Sequence, residues 1–139
     1  MEKIEPTLVF DGNAEEAFNF YRSVFGGEFV MLQRFKDSPM KKDVPESKQD
    51  KIMYIALPIG KQTLLMGWDH LPSYGAFSKG NNFQLSLVPS SKEETKRIFT
   101  ALAKGGEVKM PLQDTFWDAY YGSLKDKFGV YWLLNFPTK

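Results

Sequence analysis

Apolar residues follow two different spacings along this chain. In Phe83–Val88 every second residue is a large apolar one, an alternation that predicts a strand. Thr7–Phe10 is equally rich in β-forming residues. After each of these segments the apolar residues recur every three or four positions, which predicts two amphipathic helices. We expect Asp11 or Asn13 to cap the first helix and Ser90 or Ser91 to cap the second.

Each predicted helix ends at a Gly-Gly pair, and three further strands follow it. The predicted strands are 29–35, 52–58 and 62–67 in the first half, and 108–110, 120–125 and 130–135 in the second. The order βαβββ therefore occurs twice. We predict an α+β domain made of module one (about 1–68), a linker (about 69–81) and module two (about 82–139).

Matched residues in the two halves are separated by a constant shift. Leu8 and Leu87, Glu15 and Glu94, Phe20 and Phe99, and Glu28 and Glu107 are all 79 positions apart. Gly60 and Gly129 are 69 positions apart. The difference of ten falls on Asp37–Asp50, which is polar and charged and is interpreted as a loop insertion in the first half. The constant shift indicates a duplicated folding unit.

Composition and charge narrow the possible partners. The 139 residues include 18 basic and 17 acidic side chains, giving a net charge of +1, so nucleic acid and acidic membranes are not expected partners. No apolar run approaches the roughly 18 residues of a membrane span. The absence of cysteine excludes disulfides and thiolate metal sites. Met1–Phe10 has no export-signal pattern, and we expect a cytoplasmic protein.

Three segments resemble the PhnB-like branch of the glyoxalase/bleomycin-resistance/dioxygenase (vicinal oxygen chelate) superfamily. They are Thr7–Phe10, the Ala17–Tyr21 helix with Phe25–Glu28, and Pro111–Trp117 with Tyr121–Trp132. The resemblance covers essentially the whole chain. It implies curled βαβββ units that enclose a cavity, commonly completed across a homodimer. The branch is also labelled a demethylubiquinone methyltransferase, but the chain has no glycine-rich strand–turn–helix loop for a nucleotide-like cofactor.

Enzymes of this superfamily bind a divalent metal through His, Gln and Glu on facing strands. The resemblance places the corresponding positions near Pro6–Thr7, Leu65–Met66, Gln84 and Leu133–Leu134. Only Gln84 could ligate, and one neutral amide does not make a chelating site. We therefore expect no metal and no other cofactor.

The candidate ligand-binding residues are aromatic and polar. Gln84 and Ser86 share one face of their strand and would point into the cavity if Phe83 and Leu85 pack under the helices. An alternative is plain hydrogen bonding with neighbouring strands. The aromatic candidates are Trp68, Phe116, Trp117, Tyr120 and Tyr121, which would line a pocket, a strand rim or a dimer seam.

Three groups of charged residues have both a functional interpretation and a purely structural one. Arg34 could neutralise an anionic ligand, although an exposed arginine is the interpretation favoured here. His70 with Asp69 could form an acid–base pair, but a solvated pair in the linker is favoured. The run Lys36–Lys51 is interpreted as a mobile solvated loop that could close over the cavity.

Three functional hypotheses follow. The first is a metal-free protein that binds an unknown small molecule in an aromatic-lined cavity. The second is a metal-dependent lyase, isomerase, dioxygenase or thiol transferase of the same superfamily. The third is a structural homodimer whose cavity is filled by its own side chains.

Overall fold

The computed structural model describes residues 1–139 and has the element order βαβββ twice, as predicted. The first half contains β1 (Thr7–Phe10), α1 (Ala14–Phe25), β2 (Met31–Arg34), β3 (Ile52–Ile59) and β4 (Thr63–Asp69). The second half contains β5 (Leu85–Leu87), α2 (Lys92–Ala103), β6 (Glu107–Asp114), β7 (Ala119–Lys125) and β8 (Tyr131–Pro137). No helix is both long enough and apolar enough to span a bilayer.

The chain forms two compact units, Met1–Ser78 and Lys79–Lys139. Each unit holds one helix and one four-stranded sheet, with strand order β1-β4-β3-β2 in the first and β5-β8-β7-β6 in the second. The first and last strand of each unit run parallel, and the other neighbours are antiparallel. Edge strands β2 and β6 each pair on one side only within their unit.

Helix α1 packs directly against the sheet of the first unit. Its buried residues are Ala14, Ala17, Phe18, Tyr21 and Val24. The first four belong to the apolar stripe that the sequence predicts, but Val24 is buried where Phe25 was predicted, and Phe25 is only partly buried. Close approach is possible because Gly67 in β4 has no side chain, and a Cβ atom there would meet the Phe18 ring at 2.5 Å. The α1 side of this sheet therefore also holds Leu8, which pairs with Gly67 in register.

Helix α2 packs on its sheet in the same way. Ser91 is its N-cap, and the Ser91 hydroxyl accepts a hydrogen bond from the Glu94 backbone N–H at 3.0 Å. A Cβ atom on Gly122 in β7 would meet the Phe99 ring at 2.8 Å, so the α2 side of the sheet includes Gly122 and its partner Leu134.

The insertion between β2 and β3 is folded rather than a solvated loop, which corrects the interpretation of Lys36–Lys51. It contains three short 3-10 helices, Phe35–Asp37, Pro39–Asp43 and Glu46–Lys48. Phe35 and Val44 are buried together with Leu71, and Met40 and Met53 pack against them. A few apolar residues within a charged segment are enough to form this small core.

The register of the sheets shows how the two units correspond. Thr7, Met66, Ala56 and Met31 are mutual partners in a row across the first sheet. Ser86, Leu133, Ser123 and Met110 form the corresponding row in the second. The shift is 86−7 = 110−31 = 79 for the outer strands, as predicted, and 133−66 = 123−56 = 67 for the central ones. The predicted shift of 69 was two residues too large: the value is 67 both before and after the turn that joins the central strands, so the two turns correspond without a change in length.

Candidate functional site

The first open face is the side of the first sheet that points away from α1. Side chains alternate between the two sides along each strand, and paired residues on neighbouring strands point to the same side. By these two rules the face carries Thr7, Val9, Met31, Gln33, Tyr54, Ala56, Met66 and Trp68. Trp68 and Val9 are direct partners, and their exposed fractions are 36% and 38%. An apolar face with this exposure can accommodate a ligand.

Tyr54 is the main polar group on the first open face. Its hydroxyl donates to the sulfur of Met66 at 3.0 Å, and the side chain is half-buried. The sequence interpretation selected Trp68 from this face and missed Tyr54. The alternation in Ile52–Ile59 predicts that Tyr54 and Ala56 point to the same side of the sheet. Which side this is depends on the register with β4, which the sequence alone does not give.

The second open face is the corresponding side of the second sheet. One row contains Ser86, Leu133, Ser123 and Met110, and a neighbouring row contains Asn135, Tyr121 and Gln113. Hydroxyl and amide groups therefore alternate with apolar side chains on this face. Such mixed composition suits the binding of a neutral organic molecule.

Aromatic residues of the turn between β6 and β7 adjoin the second open face. The Trp117 ring packs edge-to-face on Tyr121, with centroids 5.6 Å apart, and Phe116 packs on Trp117 at 4.9 Å. Thr115 and Ala119 close the turn through backbone and side-chain hydrogen bonds. The turn holds Phe116 94% exposed and Trp117 49% exposed. These residues are thus presented to solvent, although both are large and apolar.

Tyr120 lies on the opposite side of the sheet from Tyr121. It is buried on the α2 side, where the ammonium groups of Lys92 and Lys96 lie 4.6 and 6.0 Å from its ring centroid. The structure therefore brings Trp117 and Tyr121 together and separates Tyr120 from them.

Gln84 and Ser86, the polar pair predicted on β5, lie in two different environments. Ser86 is exposed on the second open face, beside Leu133. Gln84 is exposed but precedes β5, which begins at Leu85 rather than at Phe83. Phe83 is 64% exposed and does not pack under α2, whereas Leu85 lies on the α2 side. Gln84 and Ser86 were expected to point into the cavity if both Phe83 and Leu85 pack under the helix, and only Leu85 does so.

Arg34 is separate from both open faces. Its guanidinium donates two hydrogen bonds to the Glu15 carboxylate, at 3.1 and 2.6 Å, and a third to the carbonyl of Asp50 at 2.8 Å. This side-chain hydrogen bonding lowers the pKa of Glu15 and raises the pKa of Arg34. Arg34 is half-buried, so the favoured interpretation of a plainly exposed arginine was wrong.

Arg34 lines a polar cleft of about 460 Å³ at the N-terminal end of α1. The cleft also contains Lys51, whose ammonium group donates to the carbonyl of Gly12 at 2.8 Å. Both cations are thus occupied by groups of the protein itself. An anionic ligand would have to displace these partners.

Asp69 is a buried structural carboxylate, which corrects its interpretation as part of a solvated pair. It is 1% exposed. Its two oxygens accept hydrogen bonds from the backbone N–H groups of Gly12, Ala14 and Ile52 at 3.1, 2.9 and 2.8 Å. Asp69 thereby caps α1, where the side chain of Asn13 makes no capping bond.

His70 faces the segment that follows it. Its Nε2 atom lies 2.7 Å from the carbonyl oxygen of Gly75, and its ring packs near Tyr74 and Phe77. Since all hydrogen bonds of Asp69 go to backbone groups, the two residues do not form an acid–base pair.

The donor atoms on the open faces do not match a superfamily metal site. Thr7 and Met66 lie in the central row of the first sheet, and Leu133 lies in that of the second beside Ser86. Gln84, the expected position with a possible ligand, precedes β5 and is not part of this row. Neutral hydroxyls, a thioether and an alkyl group are poor ligands for a divalent ion. No group of three or more His, Cys, Asp or Glu side chains is arranged to hold a metal ion.

Comparison with known proteins gives the family. The family model described as 3-demethylubiquinone-9 3-methyltransferase matches residues 2–135. The chain belongs to this PhnB-like family. It is 32% identical to Protein YjdN of Escherichia coli (strain K12) over 140 residues, covering 95% of this chain and 93% of YjdN.

Two solved structures are closely similar to this chain over nearly its whole length. PA1353 from Pseudomonas aeruginosa has a TM-score of 0.87 and 40% identity, with 99% of this chain and 98% of PA1353 covered. The Bacillus cereus PhnB protein, described as a putative 3-demethylubiquinone-9 3-methyltransferase, has a TM-score of 0.75 and 28% identity, with 97% of this chain and 99% of the Bacillus cereus protein covered. Glyoxalase/bleomycin resistance proteins share the fold, with TM-scores of 0.58 and 0.68 at 21% and 10% identity.

The methyltransferase description belongs to the family model and to the Bacillus cereus protein. In this PhnB-like chain the connection between β1 and α1 is Asp11–Asn13 and contains one glycine. A dinucleotide-type cofactor loop has three glycines at fixed spacing in that position. The chain belongs to the family, but for this reason the methyltransferase activity in the family description is not assigned to it.

Proposed function

We propose that this PhnB-like protein binds a small, partly aromatic organic molecule at its open sheet faces without using a metal ion. The observation that supports the proposal most strongly is the packing of Trp117 on Tyr121 beside the second open face. Nearly half of the Trp117 surface is exposed. Exposed aromatic groups that are held in place by a tight turn offer a rigid surface on which a flat ligand can stack.

The polar residues of the second open face support the same class of ligand. Ser86, Ser123 and Asn135 supply neutral donors and acceptors within the same two rows as Tyr121. Neutral groups orient an uncharged ligand through hydrogen bonds and do not select for an anion or a cation. The ligand is accordingly proposed to be amphipathic and uncharged in the part that contacts this face.

Fluorescence titration with 8-anilinonaphthalene-1-sulfonate tests the proposal, because this dye becomes emissive when its aromatic rings bind an apolar surface. Trp117→Ala should weaken dye binding about fivefold or more, since it removes the stacking surface. Gln84→Ala, at the exposed residue just before β5, should weaken dye binding by a smaller factor. Tyr74→Ala is the matched control, because Tyr74 is an exposed aromatic residue in the first unit, 51% exposed.

The control variant should bind the dye as the unmodified protein does. If Trp117→Ala and Gln84→Ala both bind the dye with unchanged affinity, the second open face is not a binding site and the proposal fails. Circular dichroism of each variant shows that the fold is retained.

A further inference from the structure

The Tyr54 hydroxyl has a weak hydrogen-bond partner. It donates to the thioether sulfur of Met66 at 3.0 Å, and no oxygen or nitrogen acceptor of the protein is assigned to it. A thioether is a poor acceptor, so replacing it with a carbonyl oxygen would strengthen the hydrogen bond. Tyr54 is half-buried and pairs with Gln33 on the first open face.

The surroundings of Tyr54 are uncharged and largely apolar. Met66 and Met31 lie in the central row of the face, and Trp68 lies at its end with an exposed fraction of 36%. Methionine side chains adapt to ligand shape and make favourable contacts with aromatic rings. The nearest charged residue along the chain is Lys51, and its ammonium group donates to the carbonyl oxygen of Gly12 at 2.8 Å.

We infer that the Tyr54 hydroxyl is the polar anchor of a ligand site on the first open face, and that it selects an aromatic molecule carrying a neutral carbonyl oxygen. This inference rests on the proposed small-molecule function and adds to it a named donor and a chemical class. The carbonyl oxygen accepts the hydrogen bond from Tyr54 in place of the sulfur of Met66. The aromatic part of the ligand contacts Trp68 and the two methionine side chains.

Two probes that differ in one oxygen atom test the inference. Indan-1-one and indane have the same fused rings, but only the ketone has an acceptor. Each is titrated into protein labelled with ¹³C at the methionine methyl groups, and the shifts of the methyl signals give both the affinity and the location. We expect the ketone to bind about fivefold more tightly than the hydrocarbon, corresponding to one hydrogen bond of ordinary strength.

The variant Tyr54→Phe removes only the hydroxyl group. It should bring the affinity ratio of ketone to hydrocarbon close to one, while indane binding stays within about twofold of its original strength. Tyr74→Phe is the matched control, because it removes a hydroxyl group outside the face and should leave the ratio unchanged. The signals of Met66 and Met31 should shift on binding, and those of Met40 and Met53 in the insertion core should not.

An unchanged affinity ratio in Tyr54→Phe overturns the inference. Signal shifts confined to Met110, which lies on the second open face, would also overturn the inference about Tyr54. The same result would be compatible with the proposed small-molecule binding near Trp117. If neither probe shifts any methionine signal, the anchor is excluded, and the dye titration of the Trp117 variant then decides the proposed function separately.

Discussion

At the scale of single residues, two carboxylates near the start of α1 have different roles. Asp69 is buried and uses both oxygens to hold the N-terminal end of α1 and the start of β3. Glu15 is on the surface and pairs with Arg34. A buried carboxylate with three backbone donors is a fixed structural element, whereas a surface pair responds to pH and salt.

The pKa of Glu15 predicts a pH dependence of stability. The hydrogen bonds from Arg34 lower the pKa in the folded state, below the usual value of about 4.3 for an unfolded chain. The stabilisation is therefore complete above the unfolded value and is lost as the pH falls through the folded value. Because both side chains remain accessible to solvent, at 27% for Arg34 and 43% for Glu15, we expect the pair to contribute under about 1 kcal/mol.

Urea denaturation of Glu15→Gln at pH 7 and pH 3 measures this contribution. The variant should be slightly less stable than the unmodified protein at pH 7, and the difference in stability should be smaller at pH 3. Glu16→Gln changes the neighbouring exposed carboxylate and should behave as the unmodified protein at pH 7. A Glu15 variant as stable as the Glu16 variant at pH 7 would show that the Arg34 pair has no energetic role.

At the scale of elements, the insertion between β2 and β3 depends on a core of few residues. Val44 is 5% exposed and packs with Phe35 and Leu71, whereas Lys41 and Lys42 beside it are exposed. Val44→Ala should destabilise the insertion by about 1 to 2 kcal/mol, because two buried carbon atoms are removed. Trypsin should then cleave after Lys41 and Lys42 about tenfold faster, as local opening becomes more frequent.

Val30→Ala is the control for this change, since Val30 is 63% exposed and loses little burial. Its cleavage rate after Lys41 and Lys42 should match that of the unmodified protein. Equal cleavage rates in Val44→Ala and Val30→Ala would show that the insertion does not depend on this core.

The elements also show where sequence patterns are sufficient. The stripe in α1 and the Ser91 cap of α2 were predicted because each depends on residues within a few positions of one another. The capping role of Asp69 was missed because it acts across 55 residues of sequence. The insertion core was missed for the same reason, since Leu71 joins Phe35 and Val44 from beyond β3 and β4.

At the scale of the whole molecule, the duplication accounts for the fold and for the open faces. Equivalent rows run through Thr7 and Met66 in one unit and through Ser86 and Leu133 in the other. The family resemblance predicted the fold, and the family comparison confirms it. The candidate site was predicted less completely, because the side of the sheet on which Tyr54 and Tyr120 lie depends on strand register, and Phe83 lies outside β5. The homodimer and the cytoplasmic location stay predictions.

The central claim is that these open faces lack the donors for a divalent metal, as the proposed metal-free binding requires. Elemental analysis of protein purified without a histidine tag, together with thermal unfolding in the presence of Mn²⁺, Fe²⁺, Ni²⁺ and Zn²⁺, tests it most directly. We expect well under one metal ion per chain and a midpoint shift below about 1 °C, because an ion without a site stabilises nothing. One tightly held ion per chain, with a large increase in the unfolding midpoint, would contradict the claim.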